Sequence, residues 1–215
     1  MNRYDVSIID YGVGNLLSVA RGLESCGAKV SITSNPKQIL SSSRVVLPGV
    51  GAFSNGMREL KKNNFDEVVR EVADKEIPLL GICLGMQMLL DESEEFGKTK
   101  GLGLISGKVI PIPITTINGN IQKIPHIGWN SLKLSKDFKN WEKTPLAKVK
   151  EDEEVYFTHS FMANPSFSKN RLADCFYGGL PIAAFIRKKK IFGCQFHPEK
   201  SGKVGLKILK CFMSF

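Results

Sequence analysis

The stretch PLLGICLGMQML, Pro78–Leu89, sets a cysteine between two glycines at the end of an apolar run. Pro78–Ile82 has the composition of a buried strand, and LGMQMLLDES, starting at Leu84, reads as an amphipathic helix. A strand turning into a helix through Gly-x-Cys-x-Gly has the mechanics of a nucleophile elbow, which pushes its central side chain out at the end of a sheet. Gly81 and Gly85 remove the Cβ atoms that would clash in so tight a bend. The free N–H groups of the helix that follows are expected to face the sulfur of Cys83 and to favour its thiolate.

Such an elbow stands on a parallel sheet, and the upstream sequence has the pattern of one. DVSIID (Asp5–Asp10) reads as a buried strand, followed by GVGN and a helical stretch, NLLSVARGLESCG, with Gly27 as its C-cap. KVSIT is a second strand, and RVVLPGVG a third, broken by Pro48. Two helical stretches follow, the second being Phe65–Lys75. Strands and helices alternating in units of this size predict an α/β fold with a mostly parallel central sheet flanked by helices.

The second half changes character. KVIPI, VYFTH, RLADCFY, IAAFIR and IFGCQF are short β-like runs separated by turn signals such as Asn118-Gly119 and Gly178-Gly179, which predicts an added antiparallel β portion. Arg187-Lys188-Lys189-Lys190 reads as a hairpin turn. A final helix, GKVGLKILKCFMSF, carries Val204, Leu206, Ile208, Leu209, Phe212 and Met213 largely on one side. With no repeat and no low-complexity linker, residues 1–215 read as a single domain.

Composition narrows the class. Hydrophobic residues make up 42% and charged residues 24%, as in soluble globular proteins, and no run approaches the apolar length of a membrane span. MNRYDVSIIDYG has an aspartate inside its apolar stretch and no small-residue cleavage site, so no signal peptide is expected. Five scattered cysteines, odd in number and without a Cys-x-x-Cys pair, point to free thiols in a reducing cytoplasm and to no metal site. The net charge of +9 comes without interleaved exposed aromatics or a nucleic-acid-binding module, so it reads as a lysine-rich solvated surface. In GVGN, Gly12 and Gly14 follow a strand, but Leu17 stands where a dinucleotide fingerprint needs its third glycine.

A working cysteine needs a base. Of the three histidines, His126 in IPHIGW and His159 in YFTHSF read as structural. His197, in CQFHPEKSG, is followed by Pro198, which fixes the exit from a strand, and by Glu199, whose carboxylate can hold the imidazole tautomer. Cys26, Cys175, Cys194 and Cys211 read as small buried hydrophobes. LPGVGAF (Leu47–Phe53) also ends an apolar strand, and Gly49 and Gly51 let its peptide units turn toward a developing oxyanion. By itself that segment is equally an ordinary Pro-Gly turn.

Together PGVGAF, GICLGMQ and FHPEKSG resemble the class I (triad) glutamine amidotransferases. Within that family the chain is most similar to glutaminase subunits of imidazole glycerol phosphate synthase, through IIDYGVGN, LPGVGAF, LLGICLGMQMLL, EEFGKTKGLGLISGKV, IPHIGWN, YFTHSF and FGCQFHPEKSG in order. The resemblance implies Cys83 as nucleophile, His197 as proton shuttle and Glu199 as its orienter, acting on glutamine without a cofactor. It implies glutamine contacts at Gln87 and at the backbone of Gly49, Gly51, Ser160 and Phe161, the last standing where many members have tyrosine. It also implies a cyclase partner with a (β/α)₈ barrel, approached by Asn15, Tyr156 and Lys200 near the ammonia gate. Paralogues that supply ammonia for acetamidino sugars share these motifs, and a non-catalytic scaffold is the reading that a broken triad would have favoured.

Overall fold

Five parallel strands form the centre of the computed structural model, which describes residues 4–215. The first half runs β1 (Val6–Ile9), α1 (Leu16–Glu24), β2 (Val30–Thr33), α2 (Pro36–Ser41), β3 (Val45–Leu47), α3 (Phe53–Lys62), α4 (Phe65–Asp74), β4 (Leu79–Ile82) and α5 (Leu84–Met88). The second half begins with β5 (Glu92–Ser93), β6 (Thr99–Lys100), β7 (Gly107–Pro111), β8 (His126–Ser131) and β9 (Lys133–Leu134). It continues with β10 (Glu154–His159), β11 (Phe161–Pro165), β12 (Arg171–Tyr177), β13 (Leu180–Lys188), β14 (Ile191–Cys194) and α6 (Gly202–Phe212).

The main sheet has the order β2-β1-β3-β4-β14-β13-β12-β9. Its first five strands pair in parallel. The last three add antiparallel, as expected. β11-β7-β5-β6 and a β8–β10 ribbon form two smaller sheets. The chain steps from β1 to β2 on one side and back past β1 to β3 on the other. That reversal opens a crevice beyond the carboxyl ends of the strands, where α/β sheets place their ligands.

Alternation along the strands sorts the core into two layers. Ile8, Val46, Leu80 and Ile82 pack with Val19 and Leu23 of α1 and Ile208, Leu209 and Phe212 of α6. Ile9, Val45, Leu47 and Leu79 pack with Met57, Leu60, Val69 and Val72 of α3 and α4, and with Leu84 and Met86 of α5. Burial on both faces explains why these strands read as unbroken apolar runs. Gly178 and Gly179 (φ +59° and +79°) make the two-residue turn between β12 and β13, the left-handed pair such hairpins require. Lys189 and Lys190 turn β13 into β14.

Several details depart from expectation. LGMQMLLDES is no amphipathic helix: α5 ends at Met88, and every residue from Leu84 to Leu90 is buried, so there is no polar face to carry a longer helix outward. α1 stops at Glu24, with Gly27 (φ +87°) completing the turn beyond it. Leu206 faces solvent on α6, and Cys26 is half-buried.

Candidate active site

Cys83 occupies the junction of β4 and α5 with φ +53° and ψ −110°, a conformation that non-glycine residues rarely adopt. Its N–H donates to the Cys194 carbonyl of β14 at 2.8 Å, which ties the elbow to the neighbouring strand. The flanking glycines are required by contact. A Cβ on Gly85 would lie 1.9 Å from the Leu47 carbonyl oxygen, and one on Gly81 would lie 2.7 Å from the Gly85 oxygen. Cys83 lines a cavity of about 320 Å³ with Val50, Gly51, Gln87, Ser160, Phe161 and His197.

His197 and Glu199 sit in the short turn after β14. His197 Nδ1 lies 2.8 Å from Glu199 Oε1, and both side chains are almost fully buried. Gly22 and Gly205 let α1 and α6 close on this turn: a Cβ on Gly205 would stand 1.8 Å from the Pro198 oxygen. Nε2, the ring nitrogen left over, is buried with no hydrogen-bond partner. Burial disfavours the imidazolium, but the nearby Cys83 sulfur and the Glu199 carboxylate outweigh it, and the pKa is raised to about 9. Because Nε2 makes no hydrogen bond of normal length, we read the influence of Cys83 as one of charge.

Gln87, one turn beyond Cys83, donates through Nε2 to the Phe161 carbonyl and to Gln195 Oε1, each at 3.0 Å. Gln195 Nε2 in turn lies 3.8 Å from Cys83 Sγ. Sequence reasoning missed Gln195; its signal was a polar side chain inside the apolar run IFGCQF. Tyr11 was missed as well. Its hydroxyl donates to the Pro48 carbonyl at 2.8 Å, and its pKa is raised by burial and then by Cys83. Glu95, a further lining residue, accepts the Phe53 N–H at the start of α3.

The PGVG segment crosses the cavity beside the elbow. Gly51 (φ +92°) makes the turn, and the Gly49 carbonyl accepts the Leu84 N–H at 3.3 Å. That amide follows the nucleophile position, where nucleophile elbows find an oxyanion donor, and here a protein carbonyl occupies it. Gly49 stands behind the lining, so near the elbow that a Cβ would meet Leu84 Cβ at 3.0 Å.

The remaining expected residues lie apart from the cavity lining. Lys200 is exposed and Asn15 half-buried. Tyr156 packs edge-to-face on Trp129 across the β8–β10 ribbon, and its backbone carbonyl accepts the His197 N–H at 3.0 Å. Burial pushes the Cys175 thiol up to about 12 and Cys194 well above the ordinary range. No helix among the described residues is long and apolar enough to cross a membrane.

Comparison with known proteins shows the family. Residues 7–214 match the family "Glutamine amidotransferase class-I". The "Imidazole glycerol phosphate synthase subunit HisH 1" of Legionella pneumophila (strain Lens) is 52% identical over 208 residues, covering 97% of this chain and 98% of that protein. The HisH subunit of Caldanaerobacter subterraneus subsp. tengcongensis is 46% identical, covering 96% of each. Among solved structures, PurLQS from Thermotoga maritima superposes with a TM-score of 0.72 at 16% identity, covering 99% of this chain and 98% of that one. A crystal structure of a glutamine amidotransferase gives 0.71 at 16% identity, covering 97% and 98%. At such identities the structural likeness speaks for the fold.

Proposed function

The chain belongs to the class-I glutamine amidotransferases, and from that premise we propose that Cys83, His197 and Glu199 are its catalytic triad. It is the glutaminase subunit of an imidazole glycerol phosphate synthase. It hydrolyses glutamine to glutamate and ammonia for a cyclase subunit that makes imidazole glycerol phosphate and an aminoimidazole carboxamide ribotide. Relatives carrying that name along nearly their whole length favour this reading over supply of ammonia to an acetamidino sugar. The filled triad speaks against a scaffold.

One observation carries the mechanism: Cys83 and His197 line the same cavity, with Glu199 Oε1 2.8 Å from the far ring nitrogen of His197. The Cys83 thiolate attacks the side-chain amide carbon of glutamine, and the carbonyl electrons move onto oxygen. His197 then gives its proton to the departing nitrogen, ammonia leaves, and a γ-glutamyl thioester remains. Neutral His197 next takes a proton from water, whose oxygen attacks the thioester; the C–S bond breaks, Cys83 leaves as the thiolate, and glutamate is released. Glu199 keeps the imidazole aligned throughout. Gln87 and the backbone of Gly49, Gly51, Ser160 and Phe161 hold the substrate.

The Gly49 carbonyl on the Leu84 amide supports a further element of this reading. In that orientation the PGVG peptide is not set to receive an oxyanion, so the subunit alone is nearly silent. Binding of the cyclase with its nucleotide favours a turned peptide that frees the Leu84 N–H, a population shift. The partner is a (β/α)₈ barrel that approaches Asn15, Tyr156 and Lys200. Co-expression with the native cyclase partner in a strain lacking its own histidine-pathway glutaminase should restore growth without histidine on scarce ammonium. Failure despite soluble protein and measurable glutaminase would contradict this assignment and favour the sugar pathway.

A further inference from the structure

Two of the three histidines stand outside the triad, yet they are buried together against the glutamine pocket. His126 of β8 and His159 of β10 face each other across the ribbon, with His126 Nδ1 3.0 Å from His159 Nε2. His159 Nδ1 lies 2.8 Å from the Phe161 carbonyl. His126 Nε2 lies 3.3 Å from Asn130 Nδ2. The His126 ring is held between Phe157 and Tyr177, with centroids 4.9 and 4.2 Å away.

The ends of this chain dictate where its protons sit. A carbonyl only accepts, so His159 Nδ1 must carry hydrogen, and in a neutral ring its Nε2 then accepts. His126 must therefore donate through Nδ1, which leaves its own Nε2 as an acceptor. The Asn130 amide is oriented to supply that last hydrogen: its Oδ1 accepts the Ser131 N–H at 2.8 Å, and its Nδ2 also donates to the Phe176 carbonyl at 2.9 Å. Burial pushes His126 down to about 4 and His159 down to about 3, which keeps both rings neutral. Every hydrogen bond then points the same way.

We propose that His126 and His159 are positioning residues for glutamine, forming with Asn130 a one-way hydrogen-bond chain that ends on the Phe161 carbonyl and fixes the Ser160–Phe161 wall of the pocket. Phe161 oxygen receives two donors, His159 Nδ1 and Gln87 Nε2, while the Ser160 oxygen is taken by the Ile112 N–H at 2.9 Å. Both carbonyls are thus bound by protein donors, and the peptide planes beside the substrate are set before it arrives. Preorganisation of this kind lowers the cost of binding. The choice of glutamine as the ligand rests on the function proposed above; the tautomers do not.

The test has two arms. Nitrogen-15 spectra of the full-length chain labelled at histidine should show, at pH 7, two neutral rings in the Nδ1–H form, the less common form of free histidine. Either ring found as Nε2–H, or as an exchanging mixture, overturns the proposal whether or not any variant folds. The second arm measures glutamine affinity by calorimetry in a Cys83→Ala background. His159→Asn sets an amide nitrogen where Nδ1 stood and should stay within about threefold of the parent, whereas His159→Gln should weaken binding roughly tenfold or more by leaving a buried carbonyl short of a donor. Equal losses in both variants, or none in His159→Gln, would also overturn it. If the parent itself binds no glutamine, the functional reading fails while the tautomers still decide the chain.

Discussion

Gly85→Ala tests whether the elbow and the PGVG strand meet in one unyielding contact. The added Cβ would lie 1.9 Å from the Leu47 oxygen and 2.9 Å from its carbonyl carbon. A relaxed carbon–oxygen contact is about 3.3 Å, so something must retreat by roughly 1.4 Å. β3 is the less able to move, because it is paired to β1 on one side and to β4 on the other. The displacement therefore falls on α5 and Cys83. Overpacking of this kind costs about 1–3 kcal/mol, which at this chain length lowers Tm by roughly 3–10 °C. Moving the nucleophile by an ångström should lower glutamine turnover on the order of 10²-fold. Glutamate release in the assembled synthase and a thermal melt measure the two effects. Gly27→Asn is the control for turnover: a Cβ there meets nothing within 4 Å, so activity should hold while the φ of +87° costs some stability. Wild-type turnover and melting in Gly85→Ala would refute the argument.

Glu199→Gln should keep the fold but cut turnover by about 10²–10⁴-fold, since the Nδ1 partner at 2.8 Å loses its charge; unchanged turnover with lowered stability would make the residue merely structural. Thermal stability should peak near pH 6.5 and fall on both sides of it. Folding raises His197 from the ordinary 6.5 to about 9, so its contribution is complete below 6.5 and is lost as pH climbs through 9. Burial depresses His126 to about 4 and His159 to about 3, so the unfolded chain takes up protons that the native rings refuse, and stability falls as pH drops below 6.5. A melting profile flat from pH 4 to 10 would contradict both. Glutamate release by the subunit alone should be a small fraction of that with the cyclase and its nucleotide; equal rates would rule out the coupling.

The parallel half was legible because strands buried on both faces leave uninterrupted apolar runs, and the helices between them keep a clear period. The elbow was legible because Gly81 and Gly85 are forced by backbone contacts. α5 was misread as longer and amphipathic because an apolar run such as LGMQMLL does not say whether it lies on the surface or passes through the core. β8 escaped notice because Gly128 and the outward Ile127 and Trp129 hide the alternation of a strand. Tyr11 and Gln195 act through contacts across the sheet, to Pro48 and to Gln87 and Cys83, which no local pattern encodes. His126 and His159 each read as structural in isolation, and their pairing, 33 residues apart, becomes visible only when β8 and β10 align.

The central claim is that Cys83 makes ammonia and that the partner consumes it. The direct measurement is the Cys83→Ala synthase, assembled with its cyclase and assayed for imidazole glycerol phosphate with either glutamine or an ammonium salt as nitrogen source. The account predicts no product from glutamine and near wild-type product from ammonium. Product from glutamine at a rate near wild-type would contradict it.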